Sequence, residues 1–409
     1  MKYIYYILPL LLSLNSIAQQ LGNNSQYSIE RDSSTVFLNV SATGYYGSSI
    51  FNNQMLDKFI YGGFVDDDLK NNALKKAKRL NYLGGELSAK IYYSNTQNLL
   101  FKDWGYYVGL SYNYNVGTQF TKDAYQLVFY GNKSLENKEA KLSPSAFYLR
   151  DVNQFSFGLN KNNQFKIGLT ISSFNNNSGA EITEGTFFTD TNGSSLSVDV
   201  QGEYFAVDTN SSVRFLTNNA LGVGVDFETS FSLKENKEGQ KIVLGVKNVG
   251  VLVQKNTYQI SVNTTYKYNG IEINSLKNIG EGLLTANSLQ DSLGIETKIE
   301  NRTSLLPFEI YFFQLPSYKK RIELIYGFRF KYESAYKAFL YAGGNVKLNE
   351  KYSAATFISH GGYANFQWGL SAQTHFSKVY LGVNTNNLLG FISKKAYGKS
   401  IGINLTYLL

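Results

Sequence analysis

The chain has 409 residues, a formal charge of +8, two histidines and no cysteine. Disulfides, thiolate chemistry and an acylated lipoprotein anchor, which needs a Cys just after its leader, are therefore excluded. Most of the lysines sit in polar turns and one cluster, without the Arg and aromatic stripe of a nucleic-acid surface. They read as solvated turns, with attraction to anionic lipid head groups as a second reading.

Residues 1–18, MKYIYYILPLLLSLNSIA, combine a charged start at Lys2, an apolar run and a small-residue site, which predicts a secretory signal peptide. Its removal would leave residues 19–409 as a single domain and lower the charge to +7, since Lys2 leaves with it. Past the leader there is no run of about 18 or more apolar residues, so helical membrane spans are excluded. A soluble periplasmic protein or an outer-membrane barrel is left.

Strand patterning begins faintly over 35–46 and is then interrupted. DDDLKNNALKKAKRLNYL (66–83) places Asp66, Asp67 and Asp68 at a helix start and Lys75, Lys76, Lys78 and Arg79 toward its end, each complementing the helix dipole. Residues 50–82 are thus predicted to form a helical insertion that either plugs a lumen or lies at a periplasmic rim. Alternation resumes over 83–94 and is clearest in DWGYYVGLSYNYNVG (103–117). There Trp104, Tyr106, Val108, Leu110, Tyr112, Tyr114 and Val116 share one parity, and Gly105, Gly109, Ser111, Asn113 and Asn115 the other.

The same pattern recurs over 154–160, 163–174, 178–190, 194–206, 221–233, 241–253 and 258–268. After a predicted long loop at 270–304 it returns over 306–315, 321–331, 336–347, 351–359, 364–374, 378–386 and 399–409. Many runs reach about 10 to 14 residues, enough for a tilted strand to cross a bilayer, whereas soluble strands run nearer five or six. Tyr, Trp and Phe collect toward strand ends, as interface girdles do. The apolar parity is therefore assigned to lipid and the polar parity to the lumen.

A Lys or Arg on the lipid face near the midplane costs about 2 to 4 kcal/mol, so the parity of charges tests this assignment. Asp226, Glu228, Lys166, Lys267 and Arg329 all fall on the polar side, and Pro144, Pro307 and Pro316 fall at strand edges or loops. The predicted lumen-facing residues are Asp226, Glu228, Gln259, Asn263, Lys267 and Arg329. In the last strand, Ser400, Gly402, Leu405 and Tyr407 match the polar-x-Gly-x-x-apolar-x-aromatic signal that outer-membrane assembly machinery reads, although the chain ends on two leucines. The fold class expected is all-β: a closed antiparallel transmembrane barrel of about 14 strands, with 12 or 16 as neighbours, since single-chain barrels have even strand numbers.

Chemistry is sparse. Ser359 directly precedes His360, which puts the two on opposite faces of a strand, and His375 sits beside Phe376 at a strand end. The DDD run lacks the spaced ligands of a calcium loop, and GYYG, YGGF and AGG are incomplete as nucleotide motifs. No catalytic, metal or cofactor site is predicted.

The segments AYQLVFYGNKSLENKEAKLSPSAFYLRDVNQFSFGLN, GVGVDFETSFSL, KIVLGVKNVGVLVQKN, LLPFEIYFF and YLGVNTNNLLGFISKKAYGKSIGINLTYLL together resemble an uncharacterised, porin-like family of Bacteroidota outer-membrane barrels. That resemblance implies a Gram-negative outer-membrane location and carries no chemistry with it. The expected partners are outer-membrane lipid, lipopolysaccharide and proteins of an envelope complex, with no nucleic acid. Two functions follow: a scaffold or accessory subunit of an assembly or secretion machine, which the helical insertion and long loop favour, or a porin-like or gated channel for small solutes.

Overall fold

The computed structural model describes residues 36–96, 102–161, 164–207, 220–232, 241–268, 296–315 and 320–409. The predicted signal peptide lies outside the described residues. Seventeen strands form one antiparallel sheet: β1 (Val36–Ser48), β2 (Leu80–Asn95), β3 (Trp104–Thr121), β4 (Glu139–Lys141), β5 (Ser145–Lys161), β6 (Phe165–Thr189), β7 (Leu196–Val207), β8 (Ala220–Ser232), β9 (Lys241–Tyr268), β10 (Glu296–Leu305), β11 (Glu309–Leu315), β12 (Ile322–Lys331), β13 (Lys337–Lys347), β14 (Tyr352–Gly362), β15 (Ala364–Phe376), β16 (Val379–Thr385) and β17 (Gly398–Leu408). β1 and β17 pair from Phe37 opposite Leu408 to Gly47 opposite Gly398, which closes the sheet into a barrel and leaves it without a terminal edge.

The seventeen strands fill fourteen positions around the wall. β7 and β8 lie end to end between β6 and β9. β10 and β11 lie end to end on the other side of β9. β4 only flanks the far part of β6. The alternating runs 163–174 and 178–190 are one strand, β6, whose pairing with β5 skips Asn175. Likewise 241–253 and 258–268 are the single 28-residue β9, with Asn248 and Asn256 at positive φ.

The predicted 270–304 loop needs correction, because its last nine residues belong to strand β10. β10 pairs with β9 at a height where β12 has already ended: the β11–β12 ladder stops at Glu309 opposite Lys331. Both faces of β10 meet solvent, which is why its sequence, ETKIENRTSL, lacks an apolar parity. Residues 269–295 lie outside the described residues.

The wall is apolar outside and polar inside. On β15, Phe366, Trp368 and Leu370 are exposed while Gln367 and Ser371, of the other parity, are buried. On β17, Ile403, Leu405 and Tyr407 face out and Asn404 and Thr406 face in. Asn39, fully buried on β1, donates through Nδ2 to Thr406 Oγ1 at 2.7 Å. The stripe of residues 103–117 follows suit, Leu110 being 52% exposed and Tyr107 on the other parity 6%. Such an inside-out distribution suits lipid as the outer solvent.

At the end bearing the barrel's termini, β14 and β16 enter through the short turns 348–351 and 377–378. The opposite, far end carries helices α1 (Asn53–Tyr61), α2 (Asp67–Lys76) and α3 (Lys122–Tyr130), and a single turn α4 (Leu389–Ile392). Side chains start the longer three: Asn52 accepts from Met55 N, Asp66 from Leu69 N and Thr121 from Ala124 N. The predicted helix at 66–83 is real but ends by Ala77, because β2 starts at Leu80; α1 falls within the predicted insertion at 50–82, and α3 lies outside every predicted helix.

These helices share a core of Ile50, Phe51, Met55, Leu56, Leu69, Ala73 and Tyr125. Tyr125 donates its hydroxyl to Lys70 O at 2.9 Å, and burial pushes its phenol pKa up, which keeps it a donor. The core rests on Tyr46, Leu83 and Phe120, which belong to the outward parity of β1, β2 and β3. The insertion is thus a ledge outside the far rim and not a plug.

Candidate lumenal site

Among the described residues, side chains and not an inserted segment occupy the barrel interior. Near the termini, Phe37, Tyr92 and Tyr107 pack together. Along the β12–β15 wall and up to the far rim run Tyr45, Ile325, Tyr336, Phe339, Tyr341, Ala355, Phe357 and Tyr363. Between these aromatic layers lies a cavity of about 270 Å³, lined by residues from β1 to β13, none of them from 50–82.

Two far-end turns fold inward to roof it. The β12–β13 turn carries Glu333 and Ala335 at positive φ, an uncommon backbone state for non-glycine residues that its partners must hold. Arg150 of β5, itself 4% exposed, donates to Glu333 O and, at 3.3 Å, to Glu333 Oε2. Tyr363, in the β14–β15 turn, donates to Ser334 O at 3.5 Å and stacks on Tyr45 with ring centres 5.8 Å apart. The Tyr45 hydroxyl accepts from Ala364 N at 3.1 Å and Gln367 Nε2 at 2.8 Å. The wall beneath is cut away for these turns: a Cβ on Gly84 or Gly117 would meet the Tyr363 ring, and one on Gly117 also Ser334 O.

Below the roof, charges bridge the lumen. Glu86 Oε2 on β2 lies 2.7 Å from Lys331 Nζ and 3.4 Å from Arg329 Nη2, both on β12. β2 and β12 are seven wall positions apart, the greatest separation a fourteen-position ring allows. Arg329 also reaches Glu309 of β11 at 3.0 Å. Lower down, Glu228 Oε1 is 3.2 Å from Lys166 Nζ, and its Oε2 accepts from the Tyr311 hydroxyl at 2.6 Å. Asp226 Oδ1 accepts from Asn248 N at 2.8 Å and its Oδ2 from Thr170 at 2.5 Å, fixing the bulge at Asn248. Lys90 Nζ lies 4.5 Å from the centre of the Tyr92 ring, and Lys247 Nζ 4.8 Å from that of Tyr311.

A family model covers residues 30–384 of this chain. The chain belongs to DUF5723, a family of unknown function. No curated protein matches it. Among solved structures it is similar to the deltaS2S3 mutant of TodX, a monoaromatic hydrocarbon channel, at 10% identity and a TM-score of 0.42 over 96% of each chain. TodX itself is described as a Pseudomonas putida toluene transporter. A Pseudomonas aeruginosa FadL homologue matches at 8% identity and a TM-score of 0.40, over 92% of this chain and 90% of its own. The autotransporter translocator domain of NalP from Neisseria meningitidis matches at 8% identity and a TM-score of 0.32, over 93% and 91%. Likeness at this distance says nothing of what the DUF5723 barrel carries.

Of the predicted lumen residues of this DUF5723 member, Asp226, Glu228 and Arg329 line the cavity together. Gln259, Asn263 and Lys267 do not line it: they share the inward parity of Thr257 but lie on the part of β9 that pairs with β7 above the bulge at Asn256, where Asn263 and Lys267 are exposed. Glu86, Lys90, Arg150, Lys247, Glu309 and Lys331 were missed. For Glu86 and Lys90 the signal was present, since both alternate with outward Leu87, Ala89 and Ile91.

The two histidines lie apart from the cavity. His360 Nε2 is 2.9 Å from Lys337 Nζ, and His375 stacks on Tyr380. Among the described residues no group of three or more His, Cys, Asp or Glu side chains could hold a metal ion. Ser400, Gly402, Leu405 and Tyr407 occupy β17, with Leu405 and Tyr407 outward and Ser400 bonded to Asn386 N at 2.7 Å.

Proposed function

We propose that this chain is a non-enzymatic outer-membrane barrel that admits small polar solutes through a gated lumen, with its helical end outward. The observation that carries this reading is the polar cavity that, among the described residues, is roofed by two short turns and their side-chain latches. A barrel serving as an inert wall has no need of a charged chamber behind a light cover, whereas a gate does. Helices and long connections at one end, with short turns at the other, suit the extracellular and periplasmic ends of such barrels. Export by the predicted leader, insertion through the β17 signal and a Bacteroidota source complete the proposal.

The test is current through planar bilayers containing the purified barrel. Discrete steps from the wild type, with longer openings after Arg150→Ala, are expected. Absence of steps from both proteins would reject the channel.

A scaffold reading keeps one specific support. Phe64, Val128, Tyr61, Phe391 and Ile392 are all more than half exposed on the far-end ledge and loop, a surface that a partner or lipid would cover. Extraction in mild detergent followed by mass measurement distinguishes the two: a stoichiometric partner supports the scaffold, a lone barrel the channel.

A further inference from the structure

The lumenal charges form two groups with different balances. Near the roof, Glu86 and Glu309 face Arg329 and Lys331, and Arg150 is matched by Glu333. Deeper in, Lys90, Lys166 and Lys247 line the cavity together with Glu228 and Asp226. Lys166 is paired with Glu228, but among the described residues neither Lys90 nor Lys247 has a carboxylate in ion-pair contact. Asp226 is fixed in the wall, its oxygens accepting from Asn248 N and the Thr170 hydroxyl.

Enclosed ammonium groups with no carboxylate in direct contact are costly, and rings of Lys or Arg are the usual means of favouring anions in a pore. Neutral polar groups stand beside Lys90: Ser111 of β3 is directly opposite it, and Gln154 of β5 is directly opposite Ser111. The chamber, about 270 Å³, has room for a small ion with some of its water but not for a bulky ligand.

Resting on the channel reading, we propose that Lys90 and Lys247, supported by Lys166, form a station for a small oxyanion of the phosphate or short-chain carboxylate class. The anion sits between the two unpaired ammonium groups, and the tyrosine rings beneath hold the lysines when the station is empty. Lys166 stays with Glu228, so the bound anion is held strongly enough to be selected and weakly enough to leave.

Inorganic phosphate is the probe. Calorimetric titration into the detergent-solubilised barrel is expected to show saturable binding, weakened about tenfold or more by Lys90→Gln with Lys247→Gln, as loss of charge-assisted bonds requires. Glu228→Gln, which frees Lys166, is expected to tighten binding severalfold. A heat-modifiable band on electrophoresis verifies folding of each variant. Reversal potentials across a KCl gradient give the second readout: anion preference in the wild type, falling toward none in the double lysine variant.

Phosphate binding that is absent, or unchanged in the double variant, overturns the station. Saturable, lysine-dependent binding without any current supports the station and contradicts the channel instead. Current without anion preference or phosphate binding leaves the channel and overturns the station.

Discussion

The ledge of α1–α3 and the two inward turns share one end of the barrel, yet of these the turns alone fold over its lumen. The ledge has its own apolar core and sits on Tyr46, Leu83 and Phe120, which point outward. The roof is a handful of residues, Glu333 to Tyr336 and Tyr363, and it meets Tyr45, Gly84, Gly117 and Arg150, which point inward. Where a connection goes is therefore set less by its length than by which parity of the rim presents partners to it. Aromatic rings outside and notched glycines inside send the longer segment out and the shorter ones in.

Four substitutions or deletions sharpen that contrast. The largest effect is expected from Arg329→Ala, which strips the cation shared by Glu86 and Glu309 and should cost about 3–5 kcal/mol, as breaking buried pairs does. Denaturant unfolding of the refolded barrel measures it, and a loss below about 1 kcal/mol, in the range of surface pairs, would show these charges to be solvated. Gly117→Val comes next. Its side chain would collide with Ser334 O and the Tyr363 ring, costing about 1–3 kcal/mol of roof closure and raising open probability in bilayers. Unaltered gating would mean the turns do not form the gate.

Smaller still is Asp66→Ala, which removes the cap on Leu69 N and should weaken α2 by about 1 kcal/mol. Hydrogen exchange should rise over Asp67–Lys76 and stay constant in the strands; an equal rise in β2 and β3 would make the ledge part of the barrel's own stability. Least of all, deleting residues 53–77 should leave conductance as it was. A larger current after that deletion would restore the helical plug that the outward packing argues against.

Barrel class and wall count were legible because one face in lipid and one in a polar lumen impose a period of two on every membrane-depth strand. The same period revealed Asp226, Glu228 and Arg329. It failed where its physical cause is absent. β10 stands above the closed ring with solvent on both faces, so no apolar parity marks it. Lys247 escaped because the bulge at Asn248 shifts parity between the two parts of β9. Gln259, Asn263 and Lys267 carry the right parity at the wrong height, which alternation cannot report. The nine-residue helix KDAYQLVFY escaped because two turns dense in aromatics lie too close to strand composition.

The absence of native cysteine permits one direct measurement of the roof. Ser88→Cys places a single thiol in the central cavity, where its rate of modification by a small water-soluble thiol reagent added to the far end reports passage through the turns. Slow labelling is expected with Arg150 present, and at least about tenfold faster labelling with Arg150→Ala, since one latch of 1.4 kcal/mol corresponds to that factor. Equal rates in the two backgrounds, or immediate labelling in both, would show that the inward turns do not guard the lumen.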